Sequence, residues 1–360
     1  MSEHTLKLFD PSEGSLWLRE TKRPLRTPMP TVAVIGAGIS GLAAARTLVE
    51  HGFEVTVFDK GRGPGGRMST RRTDTGFHFD HGAQYFTAKN EHFRRYLEAW
   101  HDSGVVEKWD GRIVELDGGE ITERDSSDRF VGVPGMNAVC KHLARELHVV
   151  VRTRIEELKC GERWELTASE SAVGKFDSVI VAIPPPQACE LLNFSKHLTR
   201  QIASVAVAPC WATMLSFRDN IDVPADAAFV KNSLISWIAR DSSKPSREID
   251  ADCWVVHASP EWSSANIELE PIEVQDCVLT EFFKVTGAKK QEPLHAVAHR
   301  WRYATPTDYL QSGFLSDGNT SLIVCGDWCL GNRVEAAFLS GISAADAMMR
   351  SVFADSAASP

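Results

Sequence analysis

Residues 31–60, TVAVIGAGISGLAAARTLVEHGFEVTVFDK, read as a strand, a glycine turn, a helix and a second strand. Thr31 to Ile35 is a short unbroken apolar run, the pattern of a parallel strand buried on both faces. Gly36-x-Gly38-x-x-Gly41 follows at once. In that spacing the first glycine permits the tight turn, the second lets a pyrophosphate approach the backbone, and the third lets the helix pack close to the strand. Leu42, Ala45, Leu48 and Val49 form one apolar stripe, and Gly52 is placed to end the helix. Asp59 closes the second strand 18 residues past Gly41, where a carboxylate can accept hydrogen bonds from an adenosine ribose. Together these features predict dinucleotide binding; the plainer alternative is a helix entry that needs small residues.

The whole chain of 360 residues is long enough for one large domain or two ordinary ones. With 43% hydrophobic and 24% charged residues it has the composition of a soluble globular protein. A net charge of −9 argues against a nucleic-acid backbone as the main partner. The eight cysteines contain no Cys-x-x-Cys, and the closest pair, Cys325 and Cys329, has no histidine near it. No zinc site is therefore expected, and the thiols read as reduced, as in a cytoplasmic protein. Lys22, Arg23 and Arg26 precede an uncharged stretch from Thr27 to Ala45 that superficially resembles a signal peptide. Its glycines fit strand–turn–helix better, and it lacks the apolar density of a membrane span. Residues 1–30, with Pro11, Pro24, Pro28 and Pro30, read as an extension outside the main fold.

Lys60 to Arg72, KGRGPGGRMSTRR, is a second glycine-rich loop, carrying Arg62, Arg67, Arg71 and Arg72. Exposed N–H groups and forked guanidiniums suit phosphate oxygens, so this loop and the glycine turn could hold a pyrophosphate from two sides. The alternative is a solvated basic loop. In FHFDHGAQYF, residues 77–86, His78, Asp80 and His81 are of metal-ligand type, but no third cluster with ligand spacing supports a metal. A strand ending in a turn at Gly82, its backbone passing close to a flat ligand, is the simpler reading.

An amphipathic helix is expected over 90–101, with Phe93, Leu97 and Trp100 on one face. Strands and hairpins over 104–129 and a helix over 134–147 follow, then strands at 149–151, 155–158 and 164–168. Residues 177–183 form a second largely apolar strand, stopped by Pro184, Pro185 and Pro186. Residues 187–295 lose the strand–helix alternation. Strands at 213–217, 234–239 and 253–258 with a helix at 272–285 predict a mostly antiparallel sheet. The first pattern returns in the strand at 320–325, Gly326-Asp327 and a small-residue helix over 333–349. Asp327, at a strand end before a helix N-terminus, is placed to bind a polyhydroxyl chain while the helix dipole covers developing negative charge. The blander alternative is a helix cap.

These pieces, GAGISGLAAA, GGRMSTRR, DHGAQYF, SVIVAIPPPQA, CGDW and RVEAAFLSG, resemble the FAD-binding proteins of the glutathione-reductase-like class, amine-oxidase branch. More narrowly, DKGRGPGGRMSTRR, HGAQYFTA, WIARDSSKPS, HASPEWS, HRWRYA and VCGDWCLGNRVEAAFLSG resemble the bacterial renalase-like group, from about residue 31 to 347. An α/β fold is expected. Its discontinuous Rossmann-like FAD-binding domain would comprise 31–90, 130–186 and 296–350. A second α+β substrate domain on a mostly antiparallel sheet would comprise 91–129 and 187–295, with 351–360 a tail.

The resemblance puts Gly36, Gly38, Gly41 and Arg67 along the pyrophosphate and Asp59 on the adenosine ribose. It puts Gly326 and Asp327 along the ribityl and phosphate chain, and Val334, Glu335 and Ala336 near the pyrimidine end of the isoalloxazine. Ile39, Ser40, Lys60, Gly66, Met68, Gly82, Ala83, Gln84, Ile155, Ala182 and Arg333 complete the expected cofactor contacts. Two departures bear on function. Arg333 stands where amine oxidases of this branch often carry an aromatic residue, and a fixed cation there repels an ammonium substrate. No cysteine lies between Trp301 and Val324, so FAD is expected to bind noncovalently.

Renalase-like enzymes oxidise mis-hydrogenated isomers of NAD(P)H to NAD(P)+ and pass the electrons to dioxygen, giving hydrogen peroxide. This chain has one dinucleotide fingerprint, so a dihydronicotinamide would have to enter the substrate cavity itself. Hydride transfer from a dihydropyridine leaves an aromatic cation and needs positioning more than an acid or base, so no catalytic side chain is assigned. Gln84, Tyr85, Trp237, His257, Trp262, His299, Trp301, Tyr303 and Arg333 are candidates for the cavity wall. Trp and Tyr can stack a flat ring, and His or Gln can orient a carboxamide; each could equally be a packed core residue. The alternatives are an amine oxidase, a flavin desaturase of apolar substrates, or an FAD-bound protein without turnover. The expected partners are a small-molecule substrate and dioxygen, with no nucleic acid, membrane or metal, in a cytoplasmic monomer or homodimer.

Overall fold

The computed structural model describes residues 6–10, 15–21, 29–124, 127–247, 250–318 and 321–358. Thr31–Ile35 sits inside a six-stranded sheet ordered His148–Val150, Glu54–Phe58, Thr31–Ile35, Ser178–Val181, Leu322–Val324, Leu315–Ser316. The first five strands are parallel, and the last pairing is antiparallel. Both faces are covered, which is why these strands read as continuous apolar runs. Val32 and Val34 pack beneath the helices Ile39–Glu50, Ala138–Leu143 and Val334–Ala358. Ala33 and Ile35 pack against a three-stranded sheet at 157–176 and the helices Pro185–Leu191 and Lys196–Ile202. Leu6–Asp10 and Ser15–Thr21 pair in a separate antiparallel sheet.

A second sheet of seven strands runs in the order His295–Pro306, Val207–Phe217, Asp252–Ala258, Ile235–Arg240, Ala227–Lys231, Ile113–Asp117, Glu120–Glu123. All pairings are antiparallel except Ala227–Lys231 with Ile113–Asp117. Alternation divides its faces. Trp211, Leu215, Ile238, Trp254 and Val256 bury against Val274, Val278 and Phe282 of the helix Pro271–Thr286. That helix starts with a capping box between Glu270 and Glu273 and ends at Gly287 in the left-handed conformation.

Several sequence expectations shift. The helix foreseen over 134–147 is only Ala138–Leu143: bends and turns occupy 133–137, and past the helix the chain turns left-handed at Glu146. The final helix runs to Ala358, so 351–358 continues it instead of forming a tail. Phe93, Tyr96 and Trp100 of the helix Glu91–Asp102 lie 5.4, 4.7 and 5.4 Å from Phe338 of that final helix. A division that follows packing therefore places 91–102 with the first sheet and 295–306 with the second. Among the described residues no helix is long and apolar enough to cross a membrane.

A buried ionic cluster joins the loop at 80–84 to the loop at 241–247. Asp80 Oδ2 accepts from Arg247 Nη2 at 2.6 Å and faces Lys244 Nζ at 3.6 Å. Asp80 Oδ1 accepts from Thr70 Oγ1 at 2.7 Å and from the Met136 N–H at 2.9 Å. Lys244 also holds Asp241 at 2.6 Å, and Arg247 donates to the Gly132 carbonyl at 3.0 Å. Burial alone would raise the Asp80 carboxyl, but Lys244, Arg247 and the two hydrogen bonds outweigh it and hold it below the usual carboxylate range. Asp80→Ala would leave two buried cations short of a partner and is expected to cost roughly 3–5 kcal/mol in urea unfolding. Lys108→Ala, at a solvated pair with Asp110 and Asp128, should leave the midpoint in place. Equal effects of the two variants would contradict the burial seen here.

Candidate active site

A cavity of about 530 Å³ opens where the two sheets meet, and the glycine turn forms one wall. A Cβ on Gly41 would lie 2.0 Å from the Gly36 carbonyl oxygen, so this corner closes only without side chains. Gly38 is different. Its φ of −75° suits any residue, and a Cβ there would meet no protein atom within 4 Å. The fold itself does not require glycine at 38; the open space suits a ligand whose atoms approach the backbone. No side chain caps the helix Ile39–Glu50, and its first turn holds no acid, so its N–H groups can serve an anion. A Cβ on Gly341 would come within 2.1 Å of the Ser40 carbonyl oxygen. That close crossing brings the start of the final helix, with Arg333 and Val334, to the same cavity. Two helix N-termini converging on one cavity fit a diphosphate-bearing cofactor.

Arg67 and Asp327, expected separately along the cofactor, are joined. The guanidinium donates to both carboxylate oxygens at 2.7 and 2.6 Å, and also to the Ala304 carbonyl at 3.0 Å. Asp59 Oδ2 accepts from the Ala37 N–H and Oδ1 from the Gly61 N–H, each at 2.6 Å. It therefore ties the glycine turn to the second glycine loop. Of the residues assigned to the cofactor, Gly38, Ile39, Ser40, Arg67, Met68, Gly82, Ala83, Gln84, Ala182, Gly326, Asp327, Arg333 and Val334 line the cavity.

The others do not line it, for identifiable reasons. Gly36 and Gly41 form the corner behind the wall, and Gly66 lies behind Gly38, where a Cβ on it would come within 3.3 Å of the Gly38 Cα. Lys60 is exposed. Ile155 is buried with Leu158 beneath the first sheet, and Ala336 is buried inside the final helix. Glu335 points elsewhere: its Oε1 accepts from the Lys89 and Asn90 N–H groups at 2.6 Å each.

The opposite wall is a single row across the second sheet. His299, Ala212, His257, Trp237 and Phe229 stand directly opposite one another on successive strands and so share a face. Tyr85, Phe229, Trp237, His257 and Trp301 reach the cavity. His299 lies behind, edge-on to Trp301 at 4.6 Å and to His81 at 4.8 Å. Tyr303 is lost from the wall because a bulge between Cys210–Trp301 and Ala208–Thr305 resets the alternation and presents Ala304 and Thr305. Trp262 packs on the far face, against the core around Trp211. Phe229, Cys210 and Ser236 went unread; Ser236 reaches the cavity at a second bulge, which no local pattern announces.

Burial pushes the imidazoles down, His81 to about 3 and both His257 and His299 to about 4, so the wall is neutral near pH 7. The Gln84 amide is already engaged. Its Nε2 donates to the Asp80 and Gly82 carbonyls, and its Oε1 accepts from Lys244 at 3.4 Å.

Residues 34–100 match an NAD(P)-binding Rossmann-like domain, and residues 117–349 match the flavin containing amine oxidoreductases. Renalase of Mus musculus is 23% identical over 326 residues, covering 83% of this chain and 92% of its own. Two solved structures share the fold at low identity. One is a protein of Exiguobacterium sp. 255-15 named after protoporphyrinogen oxidase (TM-score 0.72, 13% identity, 92% of this chain and 100% of that one). The other is cyclohexylamine oxidase of Brevibacterium oxydans IH-35A (TM-score 0.69, 12% identity, 91% and 100%).

Two measurements check the site. Gly38→Ala is expected to lose its flavin on purification yet, with flavin stripped from both, to melt like the parent, whereas flavin-free Gly41→Ala should melt lower; flavin retention by the first variant would remove the argument from Gly38. Below the ordinary histidine value of 6.5, the unfolded chain takes up protons that the buried imidazoles refuse. Stability should thus be full above about pH 7 and fall as pH drops from about 6.5 toward 4. A melting temperature level through that window would mean that the rings protonate within the fold.

Proposed function

The chain belongs to the flavin containing amine oxidoreductase family, and from that premise we propose that it is a renalase-like oxidase of mis-hydrogenated dihydronicotinamide isomers of NAD(P)H. Its cofactor is FAD, which when bound accepts a hydride and returns two electrons to dioxygen. The balance is one dihydropyridine, one dioxygen and one proton giving one pyridinium and one hydrogen peroxide. Gly38, Ser40, Arg67 and Asp327 would hold the cofactor without a covalent bond. Of the cysteines flanking Asp327, Cys325 is buried with its thiol pushed up to about 12, and Cys329 is shifted the same way, so neither is a ready nucleophile.

The observation that carries this reading is the charge of the cavity. Among the described residues lining it, Asp327 is the one carboxylate, and Arg67 already holds both its oxygens. The histidines are neutral. Arg333 adds a cation at the mouth, moderated by Glu335 at 3.5 Å. An ammonium substrate finds no free anion, whereas a neutral ring finds Tyr85, Phe229, Trp237 and Trp301. Those aromatic faces also favour the cation that forms as the hydride leaves. No proton need be moved by a side chain, which matches a wall whose groups titrate far from neutrality.

An amine oxidase is the second reading, since aromatic faces alone can hold an ammonium group. Anaerobic mixing separates the two. Dihydronicotinamide isomers are expected to bleach the flavin absorbance within a mixing experiment, while putrescine and cyclohexylamine leave it unchanged. Bleaching by the amines alone would overturn the proposal, and bleaching by nothing would indicate an FAD-bound protein without turnover. The reaction would take place in the cytoplasm.

A further inference from the structure

We propose that Arg124, Arg129 and Arg333 form a cationic rim at the outer end of the aromatic row, and that this rim binds the diphosphate of a dinucleotide substrate. This rests on the reading of the substrate as a dihydronicotinamide dinucleotide and names the groups that select its phosphate-bearing part.

The row that includes Trp237 and Phe229 does not end at the cavity. Strand pairing carries the same face outward from Phe229 to Glu115 and then to Thr122. Arg124, two residues past Thr122, stands at this outer end. Its Cζ is 4.6 Å from the centre of the Phe229 ring, and it donates to Glu115 Oε2 at 2.6 Å. Arg129 Cζ is 5.3 Å from the centre of the Tyr85 ring. Phe229 and Tyr85 both line the cavity and both neighbour Trp237, at 4.7 and 5.7 Å between ring centres. Arg124 and Arg129 are thus each one aromatic ring removed from Trp237, outside the cavity. Arg333 lines the cavity itself, from the start of the final helix.

These cations are accessible and incompletely neutralised. The Arg124 and Arg333 side chains are 43% and 46% exposed. Glu115 is shared between Arg124 and Lys231, the latter at 3.9 Å, so one carboxylate faces two cations. Arg129 donates to the Ser127 carbonyl at 3.3 Å, and among the described residues it has no carboxylate partner. Arg333 meets Glu335 Oε2 at 3.5 Å, while Glu335 Oε1 is taken by the Lys89 and Asn90 N–H groups. Positive charge is therefore in excess here, in a chain whose net charge is −9. A guanidinium resting on an aromatic ring keeps N–H edges free to fork onto phosphate oxygens. In a dinucleotide one ribose separates the pyridine ring from the diphosphate. A ring seated against Trp237 would thus carry its phosphates past Phe229 and Tyr85 to the rim. The diphosphate of the cofactor has its place on the opposite wall, at Gly38 and the N-terminus of the helix behind it.

The experiment uses the FAD-loaded protein, with Arg124→Gln and Arg129→Gln variants. The probes are NAD+, nicotinamide mononucleotide and nicotinamide riboside, whose Kd calorimetry reads without turnover. Their dihydro isomers give KM by flavin reduction. The parent is expected to bind the dinucleotide roughly tenfold or more tighter than the riboside, with the mononucleotide between them. Raising salt from about 50 to about 500 mM should narrow that gap, because the rim is solvated. Each variant should narrow it by roughly threefold, the loss appearing in KM and Kd and not in the rate at saturating substrate. A gap that salt and both variants leave in place would come from the adenosine and would overturn the rim. Equal binding of dinucleotide and riboside by the parent would overturn it too, while the oxidase reading stands. A variant that purifies without flavin would assign its arginine to the cofactor, with the same consequence. If no dihydro isomer bleaches the parent flavin, the oxidase reading falls and this inference with it. The salt dependence of the parent needs no variant, so misfolding of either variant leaves that criterion in force.

Discussion

Asp80 is the group on which the geometry of the site depends. Its carboxylate collects two cations and two neutral donors from three separate segments, with the carboxylate and both cations out of reach of water. In that setting a charge is tolerable only when every lone pair is met, so the segments have few alternative arrangements. The loop after the first glycine-rich region, the segment at 132–136 and the loop at 241–247 are fixed relative to one another. Through Lys244 the cluster also holds Gln84 on the cavity wall. Such a cluster adds registry between two sheets more than net stability.

The cavity between the sheets divides its labour. On the first-sheet side, backbone N–H groups, glycines and the Arg67–Asp327 pair offer sites for a charged, elongated cofactor. On the second-sheet side a flat row of aromatic and neutral imidazole side chains faces the space where a substrate would enter. The same burial that makes the row apolar keeps its histidines unprotonated, so charge is confined to the cofactor side. An oxidation that removes hydride from a neutral ring needs that separation more than it needs an acid or a base.

Much of the first half of the site was legible in the sequence, because its signals are local. The glycine spacing, the apolar runs and the position of Asp59 each reflect backbone stereochemistry or side-chain period within about thirty residues. The row at 229, 237, 257 and 299 was only half read. Residue type singles out Trp237, His257 and His299 but not Phe229, and it also singles out Trp262 and Tyr303, which the sheet turns away. Type does not tell which face a strand residue takes once bulges at 235–237 and 208–210 reset the alternation.

What the residue order determined alone was the dinucleotide corner, the helix stripes, the alternation of the second region and the absence of a competing second fingerprint. What only the tertiary structure decided was which distant groups meet. Arg67 and Asp327 are 260 positions apart and close on each other at hydrogen-bond distance. Asp80 and Arg247 are 167 apart. Trp237 and His257 become neighbours only through strand pairing. The physical reason is range: turn stereochemistry and side-chain period act over a few bonds, whereas ion pairing and sheet register depend on contacts that exist only after the chain has closed on itself.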